Sequence, residues 1–154
     1  METNESTPEQ VLLESLRRRR AEMRESMSAL ERALAGPAPG RHDAWAQHVH
    51  VALVGLSADF HEHVDITEGP RGLYCGLLAT APRLSNAVAR LTHEHAHIRE
   101  LVDDLLAHPS GPDGNDAEHV RELGMTLLGQ LVRHRQRGSD LIYDAYEVDI
   151  GGET

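Results

Sequence analysis

Four stretches of the chain repeat one arrangement, apolar residues recurring in steps of three and four. The first runs Leu13, Leu16, Arg20, Met23, Met27, Leu30, Leu34. The second runs Trp45, Val49, Ala52 and Leu53, Leu56, Phe60, His63. The third is Leu84, Val88, Leu91, His95, Ile98, Val102, Leu105, and the fourth is Val120, Gly124, Leu127, Leu131, His134, Gly138, Leu141, Ala145. A 3.6-residue period of this kind predicts four amphipathic helices, each burying one stripe. Each stripe is crossed by a polar side chain: Arg20, His63, His95 and His134.

The punctuation agrees with the stripes. Thr7-Pro8-Glu9-Gln10 reads as a helix start, with Thr7 capping, Pro8 in the first turn and Gln10 three residues after the cap. Gly36-Pro37-Ala38-Pro39-Gly40 ends that helix, and the next is expected near Arg41. Gly69-Pro70-Arg71-Gly72 interrupts the second helix, since proline lacks an amide donor and disfavours helix at the residue before it. Leu73–Thr80 is apolar enough to resume the helix for a turn or two. Pro82 is expected to open the third helix, which runs to about His108. After the turn 109–114, Asn115 with Glu118 starts the fourth. The expected architecture is all-α, an up-down-up-down four-helix bundle built from two helical hairpins. It forms one domain, with a core of about 8–147 and a polar tail over 148–154. A weak internal repeat supports the hairpins: Arg20-Ala21-Glu22-Met23-Arg24-Glu25 aligns with His95-Ala96-His97-Ile98-Arg99-Glu100.

Composition narrows the picture. A chain of 154 residues is long enough for a real core. Aromatic content of 3% leaves that core to Leu, Val, Ala and Met, which favours helices over a β-sandwich. A net charge of −10 argues against nucleic acid and against an anionic membrane as partners. No apolar run approaches the ~20 residues of a membrane span. METNESTPEQ has no apolar segment of the signal-peptide kind, so a cytoplasmic protein is expected. The single Cys75 excludes an internal disulfide and a cysteine-based zinc site. A homodimer is left open.

The anomaly is histidine, present 11 times. His95 stands in a stripe that is otherwise aliphatic, and a buried imidazole needs a partner. If the second and third helices meet near residue 79, His63 and His95 each lie about 16 residues from the turn, level at ~1.5 Å per residue. Three inward imidazoles are more simply satisfied by one shared metal ion than by three separate arrangements, and helical bundles commonly hold iron, manganese or zinc this way. Carboxylates stand nearby: Glu68 five residues after His63, Asp140 six after His134, and Glu94 beside His95. His61 with Asp65 and His93 with His97 are further i, i+4 pairs, although surface positions suit His61, His93 and His97 better. The arginine run 17–20 reads as a solvated face, except Arg20 on the stripe. Glu94-x-x-His97 resembles the Glu-x-x-His element of ferritin-like bundles but occurs once.

Over about 12–146 the chain resembles the hemerythrin-like (HHE cation-binding) domains. The resemblance rests on Phe60-x-x-His63 followed by Thr67-Glu68 and Gly72-Leu73-Tyr74, on Ala81-Pro82-x-Leu84, on Leu91-x-x-Glu94-His95 with Ile98 after it, and on His134 before an acidic, Tyr-containing segment. It implies a four-helix bundle with a non-haem di-iron centre between the helices. It implies His63, His95 and His134 as nitrogen ligands and Glu68 and Asp140 as oxygen ligands. It also implies an iron site, mono- or dinuclear, that binds O2, NO or peroxide or senses iron or redox state; another divalent metal would suit the same residues. Arg20 stands at the family's first-helix ligand position and cannot ligate, because it stays protonated. Thr67 and Gly138 stand where the family places acids after its second- and fourth-helix histidines. The competing expectation is a metal-free helical module for interaction or regulation. There Arg20 would pair with Glu68 or Asp140, and histidines titrating near neutrality would give pH sensitivity. An oxidase or peroxidase on the same iron site is a third reading.

Overall fold

The computed structural model describes residues 7–36, 42–107 and 115–148. Within them are five α-helices: α1 Pro8–Ala35, α2 His42–Glu68, α3 Leu73–Thr80, α4 Ser85–Ala107 and α5 Asn115–Tyr143. No strand occurs among the described residues. The four long helices pack as a ring, α1 on α2, α2 on α4, α4 on α5 and α5 on α1. Arg19 meets Glu62 while Ser26 meets Asp59, so α1 and α2 run antiparallel. Arg20 meets Ser139 while Leu34 meets Gly124, so α1 and α5 do too. The four-helix bundle expected from the stripes is the fold. Among the described residues no helix is long and apolar enough to cross a membrane.

Local signals act as read from the sequence. Gln10 N–H donates to Thr7 Oγ1 at 3.2 Å and Thr7 N–H to Gln10 Oε1 at 3.0 Å, a complete capping box, with Pro8 in the first turn. α1 ends at Gly36, whose N–H donates to Ala33 O. Its free carbonyls are met from α5, where Arg121 donates to Leu34 O at 2.9 Å and Gly36 O at 3.1 Å. The same guanidinium lies over the Trp45 ring. The rest of the Gly36–Gly40 break, Arg41, His108, the turn 109–114 and most of the polar tail lie outside the described residues. So do the side chains of His42 and Asn115, although α5 does begin at Asn115.

Gly69-Pro70-Arg71-Gly72 makes a tight corner. Gly72 N–H donates to Gly69 O at 2.7 Å, and a Cβ on Gly72 would fall 2.6 Å from Thr67 O and 2.9 Å from Ile66 O. Only glycine lets the backbone close so tightly. The chain then makes α3, two turns long, and a 3-10 turn over Pro82–Leu84. α4 therefore starts at Ser85, a few residues later than Pro82, because the proline opens the tighter turn first. α5 passes into a π-helical turn over Asp144–Val148.

The stripes become the core in two parts. One cluster joins Met23–Leu34 positions of α1 to Trp45, Leu53, Leu56, Ile98, Leu105, Val120 and Leu127. The other joins Leu16, Leu73, Tyr74, Leu77, Leu84, Leu91 and Leu141. Each fully buried leucine contributes about 1.5–3 kcal/mol of transfer free energy. Between the clusters lies a layer of buried polar residues, His63, Thr67, His95 and His134.

A candidate metal centre between two apolar clusters

α2, α4 and α5 each bring one histidine to this layer, with 7%, 1% and 4% of the surface of His63, His95 and His134 exposed. Ring centroids are 5.1 Å apart for His63 and His95, 5.5 Å for His63 and His134, and 4.5 Å for His95 and His134. One nitrogen from each ring lies within 4.8 Å of the other two. The equal heights expected of His63 and His95 are thus found, and His134 joins them.

Carboxylates hold two rings from behind. His95 Nδ1 lies 2.6 Å from Glu68 Oε2, and His134 Nδ1 lies 3.1 Å from Glu94 Oε1. An ionised carboxylate only accepts, so each Nδ1 carries the proton and each Nε2 is left as a bare lone pair. Arg137, one turn after His134, fixes Glu94 through its other oxygen. This carboxylate–imidazole arrangement is the one that orients histidines around metals. Aromatic rings close the sides: Phe60 stacks on His63, and Tyr74 lies parallel to His95 at 6.0 Å.

Burial sets the charge. It holds His63 down at about 3, helped by His134 and Arg20. It holds His95 down at about 2, helped by His134 and His63. His134 is lowered by the same burial, against the pull of Glu94. All three are neutral at ordinary pH, the form that binds metal ions. The near-neutral titration expected in the metal-free reading is therefore absent from these three, because desolvation outweighs the carboxylates.

Hydrogen bonding is incomplete. His63 Nε2 and His134 Nε2 are 3.4 Å apart. His63 Nδ1 and His95 Nε2 have no partner, and the remaining unpartnered buried side-chain nitrogen among the described residues is Trp45 Nε1. An unsatisfied buried polar group costs about 1–3 kcal/mol, so two in one layer mark a site whose chemistry is unfinished.

The expected oxygen ligands stand elsewhere. Glu68 is at the end of α2 and reaches across to His95 Nδ1, behind the cluster. The inward position belongs to Thr67, whose hydroxyl donates to His63 O at 2.8 Å. Asp140 is exposed, accepts from Gln136 Nε2 at 3.0 Å, and lines a surface groove with Arg90 and Arg137. α5 stays regular from His134 through Asp140, so six residues rotate the side chain by about 240° from the inward face. No bulge returns it; the π-helical turn comes only at Asp144. Glu94 takes the place beside His134 that Asp140 was expected to fill. Its sequence signal was weak, a carboxylate next to a stripe histidine, and its target lies 40 residues away.

Arg20 does not pair with Glu68 or Asp140. Its Nη2 donates to Arg135 O at 2.8 Å and to the Ser139 hydroxyl. His61, His93 and His97 are exposed, as expected, with His61 3.9 Å from Asp65. A second acidic group, Glu22, Asp59 and Glu62, is already answered by Arg19 and Ser26. Beside the histidine layer is a cavity of about 30 Å³ lined by Arg20, His63, Thr67, Tyr74, His134, Arg135 and, for most of its surface, apolar side chains. Neither a family model, nor a curated protein, nor a solved structure matches the chain.

Proposed function

We propose that this chain is a hemerythrin-like metal-binding bundle that holds a single iron, or another divalent transition ion, on His63, His95 and His134. The observation that carries the reading is the convergence of three buried neutral imidazoles, two with an unpartnered nitrogen. The donor set fits a metal: nitrogen donors, a dry surround, and Glu68 and Glu94 as outer partners. It fits one ion better than two. Arg20, Thr67 and Gly138 occupy the positions where a dinuclear centre would need further donors, and both nearby carboxylates are spent on the outer side of the rings.

Bound there, iron would supply affinity for O2, NO or peroxide, or a readout of iron or redox state, since three protein ligands leave coordination positions open. The chain's own residues do the preparatory work. Glu68 and Glu94 select the tautomer, burial keeps the rings uncharged, and Phe60 and Tyr74 shield them from water. Among the described residues no side chain is placed as an acid or base for a substrate.

The metal-free alternative draws on the direct His63–His134 contact. If His63 Nε2–H donates to His134, His63 Nδ1 and His95 Nε2 remain unpartnered, which that reading leaves unexplained. Elemental analysis and an absorption spectrum of untagged protein decide between them. About one iron per chain is expected of a three-nitrogen site, and His95→Ala should abolish it. A protein that takes up no metal under aerobic or anaerobic preparation overturns the proposal. Full metal content in His95→Ala overturns the ligand set.

A further inference from the structure

α5 has an outer face as well as the inner one that it gives to the core and the histidine layer. On the outer face Glu122, Met125, Gly129 and Val132 follow one another in steps of three and four, with Arg133 at the edge. Met125 and Val132 are 55% and 57% exposed. Gly129 lies between them, and a glycine inside a helix costs about 1 kcal/mol against alanine. Its own fold does not require it. A Cβ there would meet the Arg133 guanidinium at 3.8 Å, ordinary contact, and nothing nearer. Gly124 is different, because its Cβ would strike Leu34 at 2.6 Å. Among the described residues neither Glu122 nor Arg133 holds a hydrogen bond or ion pair.

The order along this face is acid, apolar, glycine, apolar, base, which complements itself when reversed. A two-fold axis at Gly129 lays a second α5 antiparallel on the first, and each contact then occurs twice. Val132 falls beside the partner's Met125. The axis also sets each edge of the helix against the same edge of its partner. Glu122 and Arg133 share an edge, so Arg133 comes within about 4.5 Å along the axis of the partner's Glu122, inside the reach of its side chain. Glu118 and Asp140 would face each other too, but roughly 16 Å from the crossing, where helices that cross at ~50° have separated. The glycine lets the two backbones approach closely at the crossing itself. α2 offers a comparable outer face in Val51, Val54 and Gly55, yet that helix contains no arginine or lysine to answer its exposed Glu62 and Asp65.

We propose that the outer face of α5 is the interface of a two-fold homodimer, with α5 crossing α5 at Gly129, Met125 packed on Val132, and Glu122 paired with Arg133. One helix crossing is smaller than the ~1,600 Å² of a standard interface, so the dimer is reversible. It faces away from the histidine layer and needs no metal.

The test is sedimentation equilibrium of the full-length, untagged protein from about 5 µM to about 1 mM, the range suited to a small reversible interface. A mass rising from one chain toward two is expected. Glu122→Arg and Arg133→Glu each set like charges against each other twice and should weaken association about tenfold or more. The double variant restores opposite charges and should return to within about threefold of the unaltered protein. Gly129→Leu, with room for its side chain in the single chain, should hold the helices apart and leave monomer. Val54→Asp on α2 should change nothing. Circular dichroism and melting establish that each variant folds. A single-chain mass at every concentration overturns the inference. So does a dimer indifferent to Gly129→Leu, a double variant no better than the single ones, or a dimer that Val54→Asp dissociates.

Discussion

The two ends of the core are built from the same kind of residue and do different things. The larger cluster, around Leu30, Leu56 and Leu127, has no measurable exposure at those three side chains and no polar member beyond the Trp45 indole. Arg121 ties α1, α2 and α5 together there. The smaller cluster is assembled from more pieces, α3, the 3-10 turn and the last turn of the chain's helices. Its edge holds the cavity, Arg20 and Tyr74. The histidine layer sits on the seam. Among the described residues the closed end has one unpartnered side-chain nitrogen, Trp45 Nε1, whereas the seam gathers two, His63 Nδ1 and His95 Nε2, in one layer. The cavity draws its apolar lining from both clusters, Leu16, Leu73 and Leu141 from the smaller and Met23, Met27 and Leu131 from the larger.

Acid should separate the seam from both ends most strongly. The histidines have folded-state pKa values below the unfolded value of about 6.5, with His63 at about 3 and His95 at about 2. Above that unfolded value they are neutral in both states and add no pH dependence. Below it the unfolded chain binds protons that the folded chain refuses. Each such histidine then removes about 1.4 kcal/mol of stability per pH unit. The loss continues until the folded pKa is reached. Urea midpoints of the metal-free protein should therefore fall steeply from pH 6.5 to pH 4.5. A flat profile over that range would mean that the rings are not buried as neutral groups. Next in size, Leu56→Ala at the closed end should lose about 2–5 kcal/mol by leaving a cavity. The folded fraction should keep its full metal content, and a loss of metal alongside would show that the two regions are not separable.

The stripes were legible because helical periodicity is a local property. Leu16, Met23, Leu53, Phe60, Leu91, Ile98, Leu127 and Leu141 all fall where that periodicity places them. His63, His95 and His134 were legible for the same reason, as polar interruptions of apolar stripes. Their second partners were not. Glu94 and Glu68 each reach a histidine on a neighbouring helix, and the rotation of one helix against another is not written in either helix alone. Asp140 illustrates the converse, a carboxylate near in sequence that a regular helix carries to the outside. Arg20 was legible as a misfit on its stripe. Its true partners, a backbone carbonyl and Ser139, follow from the α1–α5 packing, where Gly124 accepts Leu34 at close range.

Glu94→Gln probes how the seam is held. The amide keeps the shape of the side chain and gives up the charge that fixes the His134 tautomer and answers Arg137. Outer partners of this kind typically account for 10–100-fold in metal affinity. Competition with a chelator should show a drop of that size with the melting temperature changed by much less than in Leu56→Ala. If affinity is unchanged, His134 is oriented by packing alone.

The smallest effect is expected at Asp140. Its carboxylate is exposed and bonded to Gln136 one turn earlier, and exposed positions of this kind tolerate substitution within about 0.5 kcal/mol. Asp140→Asn should leave both the melting temperature and the metal content where they are. Equal metal binding by Asp140→Asn and weakened binding by Glu94→Gln would together assign the His134 partner to the neighbouring helix. A clear loss of metal in Asp140→Asn would mean that α5 rearranges on loading, unwinding near Gly138 to turn Asp140 inward. The π-helical turn that begins at Asp144 would then extend back toward the site, because an added residue per turn is what such a rotation requires.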